Sequence, residues 1–330
     1  MSELRWHPLH GEWVATATHR QDRTFLPPAD FCPLCPTLTG GFPTEVPESK
    51  YDIVVFENRF PSLSSVAPEI EVEASELYPV ENAQGVCEVV VYTPHHKATL
   101  AQEPVEQIYK LVQVWTDRFR ELSALEFAKY VFIFENKGEA IGVTMHHPHG
   151  QIYAYPFTPP IVLRELEQSK KHHDKTGNCL ICDIYKQEKT DGSRIVTENE
   201  SFAAYIPFFA RYPYELHIAS KRHLGDLTEF TKQEQIDLAE ILKQVLTAFD
   251  KLFNGSFPYM MVLHQQPVDG GDYNYYHFHI EFYPPMRTPV KLKYLAGSEA
   301  GAGVFINDTL AEEKAAELRG LIEEVIWNSK

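Results

Sequence analysis

The chain has 330 residues, of which 44% are hydrophobic and 23% charged, values typical of a folded globular protein with a sizeable core. Its formal net charge of −16 argues against a nucleic-acid backbone or an anionic membrane surface as partner. A small anionic substrate stays compatible with this charge, because a cleft can carry local positive charge. The sequence contains neither the apolar core of a secretion signal nor an apolar run of membrane-spanning length, so a cytoplasmic location is expected.

The first half begins with a C-x-x-C pair, Cys32 and Cys35, and continues with strand-like and helical segments. Alternating apolar residues predict a strand at Glu88–Tyr92, and a second strand-like run follows at Tyr130–Phe134. Between them, apolar residues at offsets 0, 3, 4, 7 and 11 predict an amphipathic helix over residues 105–122.

The next segment reads His147-Pro148-His149-Gly150-Gln151 and leads into a further strand. In an extended chain residues i and i+2 face the same side, so the two histidines and the glutamine lie side by side. Pro148 stiffens the backbone, and Gly150 is expected to let a ligand approach the main chain. Two imidazoles and an amide on one edge suit phosphoryl chemistry, with one nucleophile, one anchor and one neutral donor.

A second half repeats this order after a proline-containing linker predicted near residues 156–178. One apolar stripe begins at Ile108 and the other at Leu238. The sequence separation from Ile108 to His147 equals the separation from Leu238 to His277. The strands before each H-x-H pair and the C-x-x-C pairs also correspond, with small shifts in loops, where insertions are tolerated.

In this second half a helix is predicted over 232–250, preceded by a capping box that starts at Thr231, and a last helix over Leu310–Trp327. The repeated order of strands and one long helix predicts an α+β fold. We therefore expect two tandem domains, 1–160 and 161–330, each an antiparallel sheet with a long packed helix.

Cysteines and histidines at repeat-equivalent positions form two Cys₂His₂ sets. Two thiolates and two imidazoles suit tetrahedral zinc, and four protein ligands leave no open position, which indicates structural ions. Without an export signal, metal binding is favoured over disulfides. Buried apolar cysteines and core histidines are the alternative interpretation. The first set is Cys32, Cys35, His96 and His147, and the second is Cys179, Cys182, His223 and His277.

Taken together, these motifs resemble the galactose-1-phosphate uridylyltransferases, the transferase branch of the histidine-triad superfamily. The resemblance runs nearly from end to end, and the H-P-H-G-Q motif is its most specific part. It implies that each of the two tandem domains is histidine-triad-like. The motifs that carry it lie at residues 6–13, 19–23, 32–35, 57–60, 135–138, 147–151, 277–285 and 293–299.

The resemblance implies an exchange of UMP between UDP-glucose and galactose-1-phosphate, as in Leloir galactose metabolism. His149 would form a covalent uridylyl-histidine, and the kinetics would be ping-pong. Gln151 stands where histidine-triad hydrolases carry a third histidine, and it can donate a hydrogen bond to a phosphoryl oxygen but no proton as a general acid. The second half has Ile280 and Glu281 in place of the motif's glycine and glutamine, so it would be non-catalytic.

The resemblance also implies substrate contacts, the last of which the family completes across a homodimer. Two departures from the family pattern, Arg59 and Ser298, affect the expected ribose and sugar contacts. The implied contacts are Arg20, Arg23 and Asn136 for phosphate and nucleotide, Asn58 and Phe60 for uridine, and Lys293 and Glu299 for the sugar phosphate.

Three alternatives stay open. Some members of the resembled family bind the second ion through a glutamate and three histidines, and the resemblance therefore implies Glu165, His264, His277 and His279 as a possible set for zinc or iron. Because both sets use His277, one would exclude the other, and the paired thiolates favour the cysteine set. The donor could be an adenylyl nucleotide, as in an ADP-glucose phosphorylase-type enzyme. The chain could also be a non-catalytic, zinc-stabilised nucleotide-binding protein, although a binder needs no aligned nucleophile.

Overall fold

The computed structural model describes residues 2–22 and 31–328. The helices are α1 (Val105–Ser123), α2 (Pro160–Thr176), α3 (Leu180–Asp191), α4 (Lys232–Leu252) and α5 (Ala311–Asn328). The strands are β1 (Ser2–His7), β2 (Glu12–Ala17), β3 (Val54–Glu57), β4 (Val80–Asn82), β5 (Val86–Val91), β6 (Tyr130–Lys137), β7 (His149–Tyr155), β8 (Ile195–Glu198), β9 (Phe202–Tyr205), β10 (Leu216–Ser220), β11 (Tyr259–His264), β12 (His279–Tyr283), β13 (Met286–Thr288) and β14 (Lys291–Leu292).

A nine-stranded antiparallel sheet runs through the molecule in the order β3-β5-β7-β6-β11-β12-β10-β9-β8. The order is symmetric about its centre, because β6, β7 and β5 on one side correspond to β11, β12 and β10 on the other. This arrangement confirms the α+β class. The two half-sheets are joined by pairing of β6 with β11, in which Phe134 faces Val262, so they form one sheet instead of two.

The long helices α1 and α4 pack against each other and against the sheet. Their predicted stripes are buried, including Ile108 and Trp115 on α1 and Leu238 and Phe249 on α4. The capping box at Thr231 is present, with its side chain accepting from the backbone N–H of residue 234. Apolar periodicity therefore located both helices, because each stripe lies in the main core.

The predicted linker at 156–178 is largely the helix α2. Pro160 occupies the first turn, where a missing N–H costs little, and Gly177 ends the helix with a φ of 75°. Val162 and Leu166 are buried in a cluster with side chains from the sheet. The prolines therefore mark the beginning of a helix, and the proposed boundary between residues 160 and 161 falls in its first turn.

A small sheet of order β2-β1-β4 packs beside the first half and was not predicted. Its Leu4 is buried in one cluster with Cys87 and Tyr153, so it covers the same face of β5 and β7 that carries Gln151. Among the described residues, no helix combines the length and the apolar character that a membrane span requires.

Glu135 on β6 gives the fold a pH-dependent stability. Its carboxylate accepts a hydrogen bond of 3.2 Å from the Tyr259 hydroxyl, and burial raises its pKa to about 7. The native state therefore keeps a proton that the unfolded chain releases above pH ~4.5, so stability falls as pH rises towards 7. We expect the unfolding free energy of the wild type, relative to Glu135→Gln, to fall by about 2 kcal/mol between pH 5 and 8. Denaturant titrations at both pH values measure this difference, and parallel changes in the two proteins would contradict it.

Candidate active site and metal clusters

The first Cys₂His₂ set comes together behind the start of β7. The Cys35 Sγ lies 3.5 Å from His96 Nδ1 and 3.6 Å from His147 Nδ1, and the Cys32 Sγ lies 3.8 Å from His147 Nδ1. A zinc ion with ordinary bond lengths would place tetrahedral S and N ligands about 3.6 Å apart. His147 Nε2 donates to the Thr93 carbonyl at 2.7 Å, which orients Nδ1 towards the thiols.

The electrostatics of this cluster favour a cation. Burial, together with the neighbouring Cys32, raises the pKa of Cys35 to about 12, because two adjacent thiols cannot easily carry two negative charges. A bound cation would remove that penalty and allow both to ionise.

The second set repeats this geometry beside β12. His277 Nδ1 lies 3.5 Å from the Cys179 Sγ and 3.3 Å from the Cys182 Sγ, which is itself 3.8 Å from His223 Nδ1. The Nε2 of His277 is 3.0 Å from the Ser220 carbonyl, the counterpart of the Thr93 contact. Both sets thus have the donors and spacing of a structural zinc site.

A third cluster joins Glu165, His264 and His279, with His264 Nδ1 2.8 Å from the Glu165 carboxylate. The carboxylate of Glu281 lies 3.5 Å from His279 Nε2. Here the structure corrects the sequence-based expectation, because the His277 ring faces the cysteines and is not part of this cluster. The two arrangements therefore do not compete for His277.

His149 is the first residue of β7, and its ring is oriented by the backbone of its own motif. Its Nδ1 lies 2.7 Å from the His147 carbonyl oxygen, which can only accept, so Nδ1 carries the proton. In the neutral imidazole the lone pair then resides on Nε2, as a nucleophile requires. The carbonyl that fixes His149 belongs to a residue of the first Cys₂His₂ cluster, so that cluster and the His149 ring are directly linked.

The His149 and Gln151 side chains line a cavity of about 220 Å³ together with the predicted Asn58 and Phe60. The Asn58 side chain is held by the backbone N–H of Phe60 at 3.0 Å. Arg59 also lines the cavity, although its guanidinium pairs with Glu45 at 3.1 Å. The sequence did not identify the remaining lining residues as contacts, although Pro33 and Leu34 lie between the two cysteines of the first C-x-x-C pair. These remaining residues are Phe31, Pro33, Leu34, Glu45, Phe56, Val89, Thr144 and Met145.

The other predicted substrate contacts lie in different places. Arg20 reaches the cavity wall, because its Nη1 donates to the Phe60 carbonyl at 3.0 Å, whereas Arg23 lies outside the described residues. Asn136 sits on β6 opposite Met260 and is not among the lining residues that the structure describes.

Lys293 and Glu299 pair with each other, Nζ to Oε1 at 3.0 Å, and they too are absent from the described cavity lining. Ser298 donates to the carbonyl of Val304 at 2.7 Å. Within one chain, therefore, these side chains bind partners in the same C-terminal segment and not groups in the described cavity wall.

Gly150 has a different role from the one its sequence context indicates. A Cβ at this position would collide with the Tyr92 hydroxyl and lie 3.0 Å from the Phe134 carbonyl oxygen. Side chains alternate along β7, so this crowded face is opposite to the one carrying His149 and Gln151. The glycine makes room for Tyr92, not for a ligand.

We expect Gly150→Ala to shift β7 or Tyr92 and to lower the unfolding free energy by about 2 kcal/mol. Thermal and denaturant unfolding would measure the change. Adding Tyr92→Phe removes the colliding oxygen and should recover part of the loss. A double variant no more stable than Gly150→Ala would argue against the collision.

In the second half, a charged residue, Glu281, stands at the position that corresponds to Gln151. Glu281 on β12 is paired with Arg211 at 3.0 Å and lies 3.3 Å from His217. Although burial opposes ionisation, His217 and its neighbouring histidines hold the pKa of Glu281 well below its usual range. This carboxylate would repel a phosphate, in contrast to the neutral amide of Gln151.

Comparison with known proteins agrees with this geometry. Residues 1–159 match the family described as "Galactose-1-phosphate uridyl transferase, N-terminal domain", and residues 165–327 match its C-terminal domain. A galactose-1-phosphate uridylyltransferase of Thermotoga maritima is 44% identical over 97% of this chain and 98% of its own length. One from Haemophilus influenzae is 34% identical, covering 97% and 94% of the two chains.

Among solved structures, a uridylyltransferase is more similar to this chain than an ADP-glucose phosphorylase is. A structure described as that of a uridylyltransferase aligns with a TM-score of 0.87 at 37% identity, covering 98% of this chain and 99% of the other. An ADP-glucose phosphorylase from Arabidopsis thaliana with bound ADP-glucose aligns with a TM-score of 0.72 at 26% identity, covering 97% and 99%. The chain therefore belongs to the galactose-1-phosphate uridylyltransferase family.

Proposed function

We propose that this protein transfers UMP between UDP-glucose and galactose-1-phosphate through a covalent uridylyl-histidine. The observation that carries the proposal is the orientation of His149, whose Nδ1–H is bound to the His147 carbonyl while the ring lines a cavity beside Gln151. The higher similarity to uridylyltransferases than to the ADP-glucose phosphorylase supports a uridylyl donor.

In the first half-reaction, Nε2 of His149 would attack the α-phosphorus of UDP-glucose. The bond from that phosphorus to the bridging oxygen breaks, and glucose-1-phosphate leaves with the electron pair. The Nδ1 proton stays on the ring, and the His147 carbonyl stabilises the positive charge that develops there.

In the second half-reaction, a phosphate oxygen of galactose-1-phosphate would attack the uridylyl phosphorus, and the P–N electron pair returns to Nε2. Both leaving and attacking groups are ionised phosphates, so neither step needs a proton donor. A glutamine at position 151 suits this requirement, because its amide can hydrogen-bond a phosphoryl oxygen without donating a proton to a leaving group.

We further propose zinc in the two Cys₂His₂ clusters, where it would hold the C-x-x-C segments against β7 and β12. Ions at these positions would supply rigidity and no step of the transfer, because four protein ligands fill the coordination sphere. The third cluster, around Glu165, His264 and His279, offers harder ligands that suit zinc or iron.

A homodimer is proposed as the working form, in the cytoplasm. Lys293 and Glu299 would then contribute to the cavity of the partner subunit. The same segment exposes large apolar side chains, including Tyr294 at 73% and Leu295 at 52%, and such a surface favours a subunit contact. In this proposal, residues 1–160 form the catalytic half and residues 161–330 support it.

Incubation with radiolabelled UDP-glucose or ADP-glucose, followed by mapping of the label, tests the function. Acid-labile, base-stable label on His149 from UDP-glucose supports uridylyl transfer. Label from ADP-glucose alone would indicate an adenylyltransferase, and label from neither would indicate a non-catalytic binding protein. Comparing galactose-1-phosphate with inorganic phosphate as acceptor then separates a transferase from a phosphorylase.

A further inference from the structure

Tyr153 stands two residues after Gln151 on β7, on the same face of the strand. Its hydroxyl lies 3.0 Å from Oε1 of Gln151, and its side chain is only 9% exposed. The ring packs edge-on against Phe134 at a centroid distance of 5.1 Å. The phenol is therefore held in one place, and it contacts the amide that faces the cavity.

The other neighbours of the phenol determine the direction of this hydrogen bond. The Arg20 guanidinium and the Ser62 side chain both lie close to the Tyr153 side chain. A guanidinium has donors only, so the single phenol proton is not directed at Arg20, and it is donated to Oε1 of Gln151. That proton requires the carbonyl oxygen of the amide, which turns the NH₂ group of Gln151 away from Tyr153.

Arg20 also links the two walls of the cavity. Its Nη1 donates to the Phe60 carbonyl at 3.0 Å, while the same guanidinium lies close to Tyr153. Arg20 therefore stands between the segment that carries Asn58 and Phe60 and the tyrosine that binds the amide of Gln151.

The second half of the chain repeats this arrangement with an unambiguous acceptor. Tyr283 on β12 stands two residues after Glu281 and donates its hydroxyl proton to that carboxylate. The Arg211 guanidinium lies 4.8 Å from the Tyr283 ring centroid and pairs with Glu281 at 3.0 Å. An ionised carboxylate can only accept, so the tyrosine must be the donor. In both halves a tyrosine two residues along the strand donates to the side chain at the position of Gln151, which supports the direction deduced for Tyr153.

We propose that Tyr153 is a positioning residue, whose hydroxyl fixes the Gln151 amide with its NH₂ group towards the transferred phosphoryl group. This inference rests on the proposed function, because it assigns the NH₂ group a phosphoryl oxygen as acceptor. Without the phenol proton the amide can turn over and present its carbonyl oxygen to the phosphate, which is repulsive.

The test is Tyr153→Phe, which keeps the ring and removes the hydroxyl. We expect single-turnover formation of the uridylyl adduct from UDP-glucose to slow about tenfold at saturation, as the loss of one aligned hydrogen bond predicts. In a Gln151→Ala background the same change should have no further effect, because the group to be positioned is gone. Tyr155→Phe, a hydroxyl removal two residues further along the same face, is the matched control and should retain the wild-type rate.

Each outcome decides the inference. Equal losses in the wild-type and Gln151→Ala backgrounds would overturn the inference in favour of a general structural role. A wild-type rate in Tyr153→Phe would overturn the inference but leave the proposed function standing. If the wild-type enzyme formed no adduct, the proposed function and the inference would both be wrong. If Tyr153→Phe fails to fold, a crystal structure of wild-type enzyme with UMP decides. Gln151 bonded to both Tyr153 and the phosphate supports the proposal, and Gln151 turned away from Tyr153 overturns it.

Discussion

Replacing His149 by alanine is expected to reduce uridylyl transfer by at least about 10⁴-fold, because the reaction loses the atom that carries the transferred group. The remaining site would retain the cavity and the Gln151 amide, so nucleotide binding should change little. Steady-state assays with UDP-glucose and galactose-1-phosphate measure the loss, and mass spectrometry of the substrate-treated protein should detect no nucleotidyl adduct.

The matched control is His146→Ala, in the segment leading into the same motif. Its side chain is 58% exposed and lies near Glu139, so its loss should leave activity and stability close to wild type. The His149→Ala protein should also unfold near the wild-type temperature, because the His149 side chain is only partly buried and lines the cavity. A His149→Ala protein that still formed an adduct would place the nucleophile elsewhere.

Cys32→Ser is expected to remove about one metal ion per chain and to lower the unfolding free energy by about 3 kcal/mol or more. A hydroxyl is a poor replacement for a thiolate on zinc, and loss of the ion would leave the C-x-x-C segment and His147 without a common anchor. Because the His147 carbonyl orients His149, activity should fall as well. Elemental analysis and denaturant unfolding measure the first two effects.

Cys87 provides the control for this prediction. It is a buried cysteine that lies outside the metal clusters found among the described residues. Cys87→Ser should keep the wild-type metal content, whereas Cys179→Ser should lose an ion from the second half instead. If Cys32→Ser kept all of its metal and its stability, the first cluster would not be a metal site.

The sequence predicted those parts of the fold that follow from a local pattern. The helix predicted over 105–122 is observed as α1, Val105–Ser123, because the buried stripe that defines it is read directly from residue spacing. The juxtaposition of Cys32 with His147 across 115 positions was also anticipated. The repeat made that possible, since two copies of the same order of cysteines and histidines single out the same four positions.

Other features depend on contacts between distant segments and leave no local pattern. Tyr92 under Gly150, Thr144 in the cavity wall and the pairing of β6 with β11 are of this kind. The resemblance to the family implied a cluster of one glutamate and three histidines, His277 among them. Strand alternation alone would place His277 and His279 on one side, but His277 precedes β12 and turns its Nδ1 to the cysteines, whereas His279, the first residue of β12, joins Glu165.

The pairing of β6 with β11 makes the second half indispensable to the half that carries His149. β6 is the neighbour of β7, and its other edge is covered by β11. Separating the halves would leave the N–H and C=O groups of a long apolar strand without partners, and such an edge recruits other chains into aggregates. Whatever its chemistry, the second half thus protects this strand edge against self-association.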